Sequence, residues 1–198
     1  MPTIRLTQKL QQELDFKPSN LVNVQSADSM EPFKEWYAHV YLLNRKKQLI
    51  FVEPQTLYSF SVEDVTRKDI RERFEDLFKK GLSRSLFLEG VSSAVMSKVM
   101  EVVSDEFVFA KTENRRTIGA MNEFVKSHKF DYGDPERPME IRDRLNHYMP
   151  VRGFPNGSKK HEFPIDVFAN VIKQRYQLNF EPHKKDFFKK IMSETYLD

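Results

Sequence analysis

Residues 111–122 hold the side chains best suited to chemistry, with Lys111, Asn114, Arg115 and Arg116 close together. Asn is a favoured helix N-cap, and a helix start leaves backbone N–H groups unbonded at the positive end of the macrodipole. Cations beside such a terminus suit a phosphate or a carboxylate. Gly119, one turn into the same helix, would allow close packing on a sheet. A plainer reading stands beside this one: Asn114 is a cap, the arginines pair with carboxylates such as Glu113 or Glu123, and Gly119 serves packing alone.

A second group lies on one strand. Tyr37, His39 and Tyr41 share a face, so His39 and Tyr37 could form an acid–base pair, or the tyrosines could stack on bases. The basic tip that follows, Asn44, Arg45, Lys46 and Lys47, could meet a nucleic-acid backbone. Packing in the strand and solvation of the turn account for the same residues. The five histidines show no HxH, HxxxH or HExxH spacing, and the six glycines form no phosphate loop. No cofactor or metal is implied. With no Cys there is no thiol catalysis, thiolate metal site or disulfide.

The elements that must position these residues follow from pattern. A chain of 198 residues fits one domain, or a domain with an appended subdomain. Its 17 Phe and 8 Met supply a core without staples. A stretch of aromatic and β-branched residues over 36–62 predicts a three-stranded antiparallel meander, roughly 36–43, 48–53 and 56–62. Both faces of its first strand are bulky, so it is covered on both sides or borders a groove. A strand is expected over 106–111. Helices are expected over 8–14 (capped by Thr7), from Thr66 onward (a Thr-x-x-Asp box, with Gly81 or Gly90 ending segments), over 91–104, and from Asn114 to about 128. Six of the ten prolines fall between 135 and 182. There the pattern predicts a turn at Asn156 and Gly157, and helices near 139–148, 165–177 and 183–196. The first of these would carry Ile141, Leu145 and Tyr148 on its apolar face. The fold class is therefore α+β: an antiparallel sheet built on the meander, packed by helices, with a C-terminal helical extension. The expected division is 1–128 and 129–198.

Charge is evenly spread. Lys and Arg outnumber Asp and Glu by 13 to 11 over 129–198 and by 19 to 18 elsewhere, which only weakly permits nucleic acid. No apolar signal core opens the chain and no run is long enough to span a membrane, so a cytoplasmic location without membrane association is expected.

Three blocks together resemble a known family: Ile4-Arg5-Leu6-Thr7-Gln8-Lys9-Leu10, then Trp36-Tyr37-Ala38-His39-Val40 with Arg45-Lys46-Lys47, then Lys111-Thr112-Glu113-Asn114-Arg115-Arg116 through Gly119 to Met121-Asn122. Their order and spacing over about 3–128 are similar to an uncharacterised bacterial domain family. Its blocks run Arg-x-Thr-x-Lys-Leu, Trp-His-Ala-Asn-Leu and Lys-Thr-x-Asn-Arg-x-x-x-Gly-x-Met-Asn. The resemblance implies no activity. Tyr37 stands where that family tends to have His, and His39 where it tends to have Asn.

The leading expectation is a non-catalytic binding or regulatory module of a bacterial or phage-type cytoplasm, contacting a protein partner or an anionic ligand. The candidate ligand-binding residues are Lys111, Asn114, Arg115, Arg116, Tyr37, His39 and Arg45. One alternative is an enzyme acting on a phosphate-containing or nucleic-acid substrate, with His39, Arg115 and Arg116 convergent in one cleft. The other is a homo-oligomeric structural protein assembled through its C-terminal helices.

Overall fold

The computed structural model describes residues 1–23, 31–130, 137–152, 154, 160–183 and 187–189. The turn expected at Asn156 and Gly157, and most of the helix expected over 183–196, lie outside them. Thr3–Leu6 form strand β1, and Gln8–Leu14 form helix α1 with Leu10 and Leu14 buried. Thr7 takes the N-cap position, but its hydroxyl makes no cap bond and instead lies 2.9 Å from His39 Nδ1.

The meander is present as β2 (Glu35–Leu43), β3 (Lys46–Val52) and β4 (Ser59–Val62), with Tyr37 opposite Val52 and Phe51 opposite Phe60. Asn44 and Arg45, at φ of 50° and 65°, make the two-residue turn. Positive φ at both positions is the type I′ geometry that matches strand twist. Lys46 and Lys47, expected at the tip, instead open β3. Between β3 and β4 the Glu53 carboxylate accepts the N–H groups of Gln55 and Thr56 and the Thr56 hydroxyl. That closed turn delays the third strand to Ser59.

The expected antiparallel sheet is in fact mixed. Val108–Lys111 form β5, and β1 lies between β2 and β5, parallel to both, giving the order β4-β3-β2-β1-β5. Parallel neighbours need long crossovers, which a local reading of the meander cannot reveal. One crossover contains α1. The other contains α2 (Arg67–Glu72), α3 (Phe74–Leu88) and α4 (Ser93–Val102). The Thr66/Asp69 capping box is closed in both directions, and the helix it starts breaks at Arg73. Gly90, at φ of 73°, follows the end of α3. Helices α5 (Arg115–Lys129), α6 (Met139–His147) and α7 (Pro164–Tyr176) follow, and residues 187–189 are again helical.

Period-2 alternation sends the two faces of β2 into two cores. Trp36, Ala38 and Val40, with Phe51 and Phe60, meet apolar residues of α1 to α4 and Ile165, Phe168 and Ile172 of α7. Phe78 stands edge-on to Trp36 at 5.2 Å and to Phe51 at 5.1 Å. Tyr37 and Tyr41, with Ile50 and Val52, meet Met121, Phe124 and Val125 of α5. The sheet is thus covered on both sides.

The close helix–sheet approach belongs to Gly81 of α3. A Cβ there would lie 2.8 Å from Val62 Cγ2 and 2.9 Å from the Phe60 ring. Gly119, to which the sequence reading gave that role, meets nothing within 4 Å.

Candidate functional site

The start of α5 is built as a closed cap. Asn114 Oδ1 accepts the N–H groups of Arg116 at 3.0 Å and Thr117 at 3.2 Å. These are donors that a bound anion would otherwise take. Asn114 N–H donates to Tyr37 Oη at 3.1 Å, so the fully buried Tyr37 holds the cap from beneath. Arg116 Nη2 donates to the Pro54 carbonyl at 3.0 Å. Lys111 and Arg115 are exposed. Below them lies a buried ion pair that pattern reading missed, Arg5 with Glu35. Arg5 Nη1 also donates to the Lys111 carbonyl at 2.8 Å and lies 3.3 Å from the Glu113 carboxylate. The clue was a charged residue inside a β-like run.

His39 lies two residues further along β2 than Tyr37. It is half-buried against Thr7, and burial, with Lys9 and Lys129 nearby, pushes its pKa down to about 4. His39 thus bonds to the residue that precedes α1, whereas Arg116 bonds to the Pro54 carbonyl after β3. Arg45 projects from the exposed hairpin turn. Tyr37 and Tyr41 are both buried, and neither ring is available for stacking on a base.

Helix α6 turns an unexpected face inward. Of the expected stripe, Tyr148 is buried and Ile141 and Leu145 are half-buried, while Arg142, Asp143, Asn146 and His147 are buried as well. The cause is the edge of the sheet. β4 is an edge strand whose Ser59 and Ser61 present backbone groups away from β3, and unpaired groups of this kind must be satisfied when covered. Asp143 accepts the Ser61 N–H at 2.8 Å and the Ser61 hydroxyl at 2.7 Å. His147 Nε2–H donates to the Ser59 carbonyl, and its Nδ1 lies 2.7 Å from Glu89 Oε1.

The other two polar residues tie α6 to α5. Arg142 Nη1 donates to the His128 carbonyl, in the last turn of α5. Asn146 Nδ2 donates to His128 Nε2 at 2.7 Å, which leaves Nδ1–H to donate to Tyr41 Oη at 2.7 Å. Burial, with Arg142 alongside, pushes His128 down to about 3, consistent with a neutral ring. Burial drives Asp143 up to about 7, against the hydrogen bonds from Ser61. Burial also opposes ionisation of Glu89, but His147, Arg144 and Tyr148 outweigh it and hold this carboxyl below its usual range. The cleft beside Asp143, bordered by Ser61, Glu63 and Arg84, measures about 20 Å³, the room of a water rather than of a substrate.

A larger concavity lies between α3 and α4. Its volume is about 690 Å³, and Phe87, Met96, Met100 and Ser83 form its apolar floor. Phe87 is 72% exposed, the most exposed of the large hydrophobic side chains among the described residues. Asp76, Lys79, Lys80 and Arg84 stand around it. The sequence carries an apolar stripe on each helix but no local sign of a groove. The inward stripes of α3 and α4 are longer and stronger, and they masked the outward residues.

Among the described residues, no helix is long and apolar enough to cross a membrane, and no group of three or more His, Asp or Glu could hold a metal ion. Fold and surface together define an α+β protein whose mixed five-stranded sheet is covered on both faces and whose helical layer carries an open apolar groove. The model of a family described as a domain of unknown function, DUF6933, matches residues 3–167, and the chain belongs to that family. The match includes the three blocks over 3–128 and continues through α6 to the first residues of α7. A search of curated proteins finds no match.

Proposed function

We propose that this chain is a non-catalytic binding or regulatory module of the cytoplasm that holds a protein partner in the groove between α3 and α4. The observation that carries the reading is the exposed Phe87 beside Met96 and Met100, above a well-packed core. Contiguous exposed apolar surface with a polar surround is characteristic of interaction sites. Methionine thioethers are flexible and polarizable, which suits a surface that must adapt to another chain. The groove lies on the helical layer opposite α5, so a partner would dock without disturbing the α5 cap.

The test places a photo-crosslinking amino acid at Ser83 in the full chain, in cells of the native host. The reading expects a discrete crosslinked species that disappears in Phe87→Ser, together with direct binding of the recovered partner to the purified chain. Crosslinking indifferent to Phe87, or a recovered protein that does not bind the purified chain, would remove the groove from consideration.

A further inference from the structure

We infer that the segment received by the α3–α4 groove is an acidic amphipathic helix of a partner protein, an inference that rests on the reading above. The groove has the form of a helix bed. On α3, Asp76, Lys80, Ser83 and Phe87 follow one another at helical spacing, and on α4, Met96 and Met100 are one turn apart. The α3 stripe extends about 17 Å at 1.5 Å per residue, the length of three turns of a bound helix. Ser83 is small, and its Oγ lies 3.9 Å from Met96 Sδ, so the floor dips between Phe87 and the lysines. An apolar side chain placed there would touch both helices. Partners of this type present residues at i, i+3 or i+4, and i+7.

Charge selects the sign of the partner. Lys79, Lys80 and Arg84 line the groove against the single carboxylate of Asp76. Lys79 is held in place by Glu75 at 3.8 Å, by the Ser104 carbonyl at 3.0 Å and by the Phe107 ring. Arg84 remains 61% exposed while 3.2 Å from Glu140. Lys80 is exposed and has no ion pair among the described residues. A second copy of this chain packing through the same face would set this patch, with three cations to one carboxylate, against itself, because a two-fold interface pairs the same surface on both subunits. Like charges across an interface suppress a partner, and opposite ones steer it in. An acidic helix meets both requirements of the surface: apolar anchors for Phe87 and the methionines, and carboxylates for Lys80 and Arg84.

The experiment selects binders from a displayed library of random 16-residue peptides against the purified full chain, then measures enriched peptides by fluorescence anisotropy. The expected result is enrichment of sequences with apolar residues at i and i+4 flanked by Asp and Glu. Their affinity should fall at least tenfold in Phe87→Ser and severalfold in the double variant Lys80→Glu/Arg84→Glu. It should weaken as salt rises, and reversing the peptide's charges should restore binding to the double variant. Peptides that depend on Phe87 but carry no acidic excess and ignore the double variant overturn the acidic helix while leaving a protein-binding groove in place. Peptides that ignore Phe87, or a selection that yields no binder, overturn both. Self-association in light scattering that disappears in Phe87→Ser makes a second copy the occupant and overturns this assignment.

Discussion

Asp143 is a carboxyl whose ionisation works against the fold. Its pKa rises from an ordinary 3.8 to about 7 on burial. The folded protein therefore holds this proton more tightly than the unfolded chain between those values. The stability it contributes is fully present below pH 3.8 and is lost as pH rises through about 7. His128 acts in the opposite direction: lowered from 6.5 to about 3, it contributes stability above pH 6.5 that is lost as pH falls through about 3. Asp143→Asn keeps an acceptor for the Ser61 N–H and removes the titration. Its melting temperature should gain on that of the parent from pH 5 to about pH 7 and level off above, and parallel curves over pH 5 to 7 would contradict the assignment. Asn114→Ala removes two bonds to backbone donors and should lower stability by about 1–2 kcal/mol in urea unfolding. The cap at Asn114 was legible in the sequence because its partners are two and three residues away. The state of Asp143 was not legible, because its partner Ser61 is 82 positions distant and nothing local signals burial.

Two glycines in long helices make opposite predictions. Gly81→Ala forces a methyl against Val62 and the Phe60 ring, where overpacking costs about 1–3 kcal/mol and exceeds the gain in helix propensity of under about 1 kcal/mol. Gly119→Ala enters open space and should stabilise by about 0.5–1 kcal/mol. Thermal unfolding of the pair distinguishes close helix–sheet contact from a tolerated gap. The same contrast explains what sequence could tell about elements. Existence and type of the strands and helices follow from period and caps, as at Thr66 with Asp69. Which glycine touches the sheet depends on which helix crosses β4. The inward face of α6 is a similar case. Ile141 and Leu145 set the expected stripe, but the backbone groups of the β4 edge attract Asp143 and His147 more strongly than apolar contact attracts the leucine. Asp143→Ala should accordingly speed amide exchange at Ser61, while exchange at Phe60, whose residue pairs with Phe51, stays slow.

For the whole chain, the meander of β2 to β4 was readable from 36–62 because its partners are consecutive. The parallel placement of β1 was not readable, since Thr3–Leu6 pairs with strands 32 and 105 positions later in register. Residues after 129 are likewise joined to the rest. α7 supplies Ile165, Phe168 and Ile172 to the Trp36 core, and α6 covers the β4 edge. A chain ending at 129 should lose cooperative unfolding and aggregate, as circular dichroism and light scattering would record, because it leaves both a core face and a strand edge in water. Trp36 gives the molecule a spectroscopic asymmetry. It is the single tryptophan, fully buried, its indole N–H held by the Phe33 carbonyl at 2.7 Å, and it faces only the α3 side of the sheet. Light absorbed at the red edge of the aromatic band is therefore emitted from one layer alone. The α5 layer, marked by Tyr37 and Tyr41, is dark at that wavelength, so the loosening of the α3 half can be followed by itself without attaching a dye.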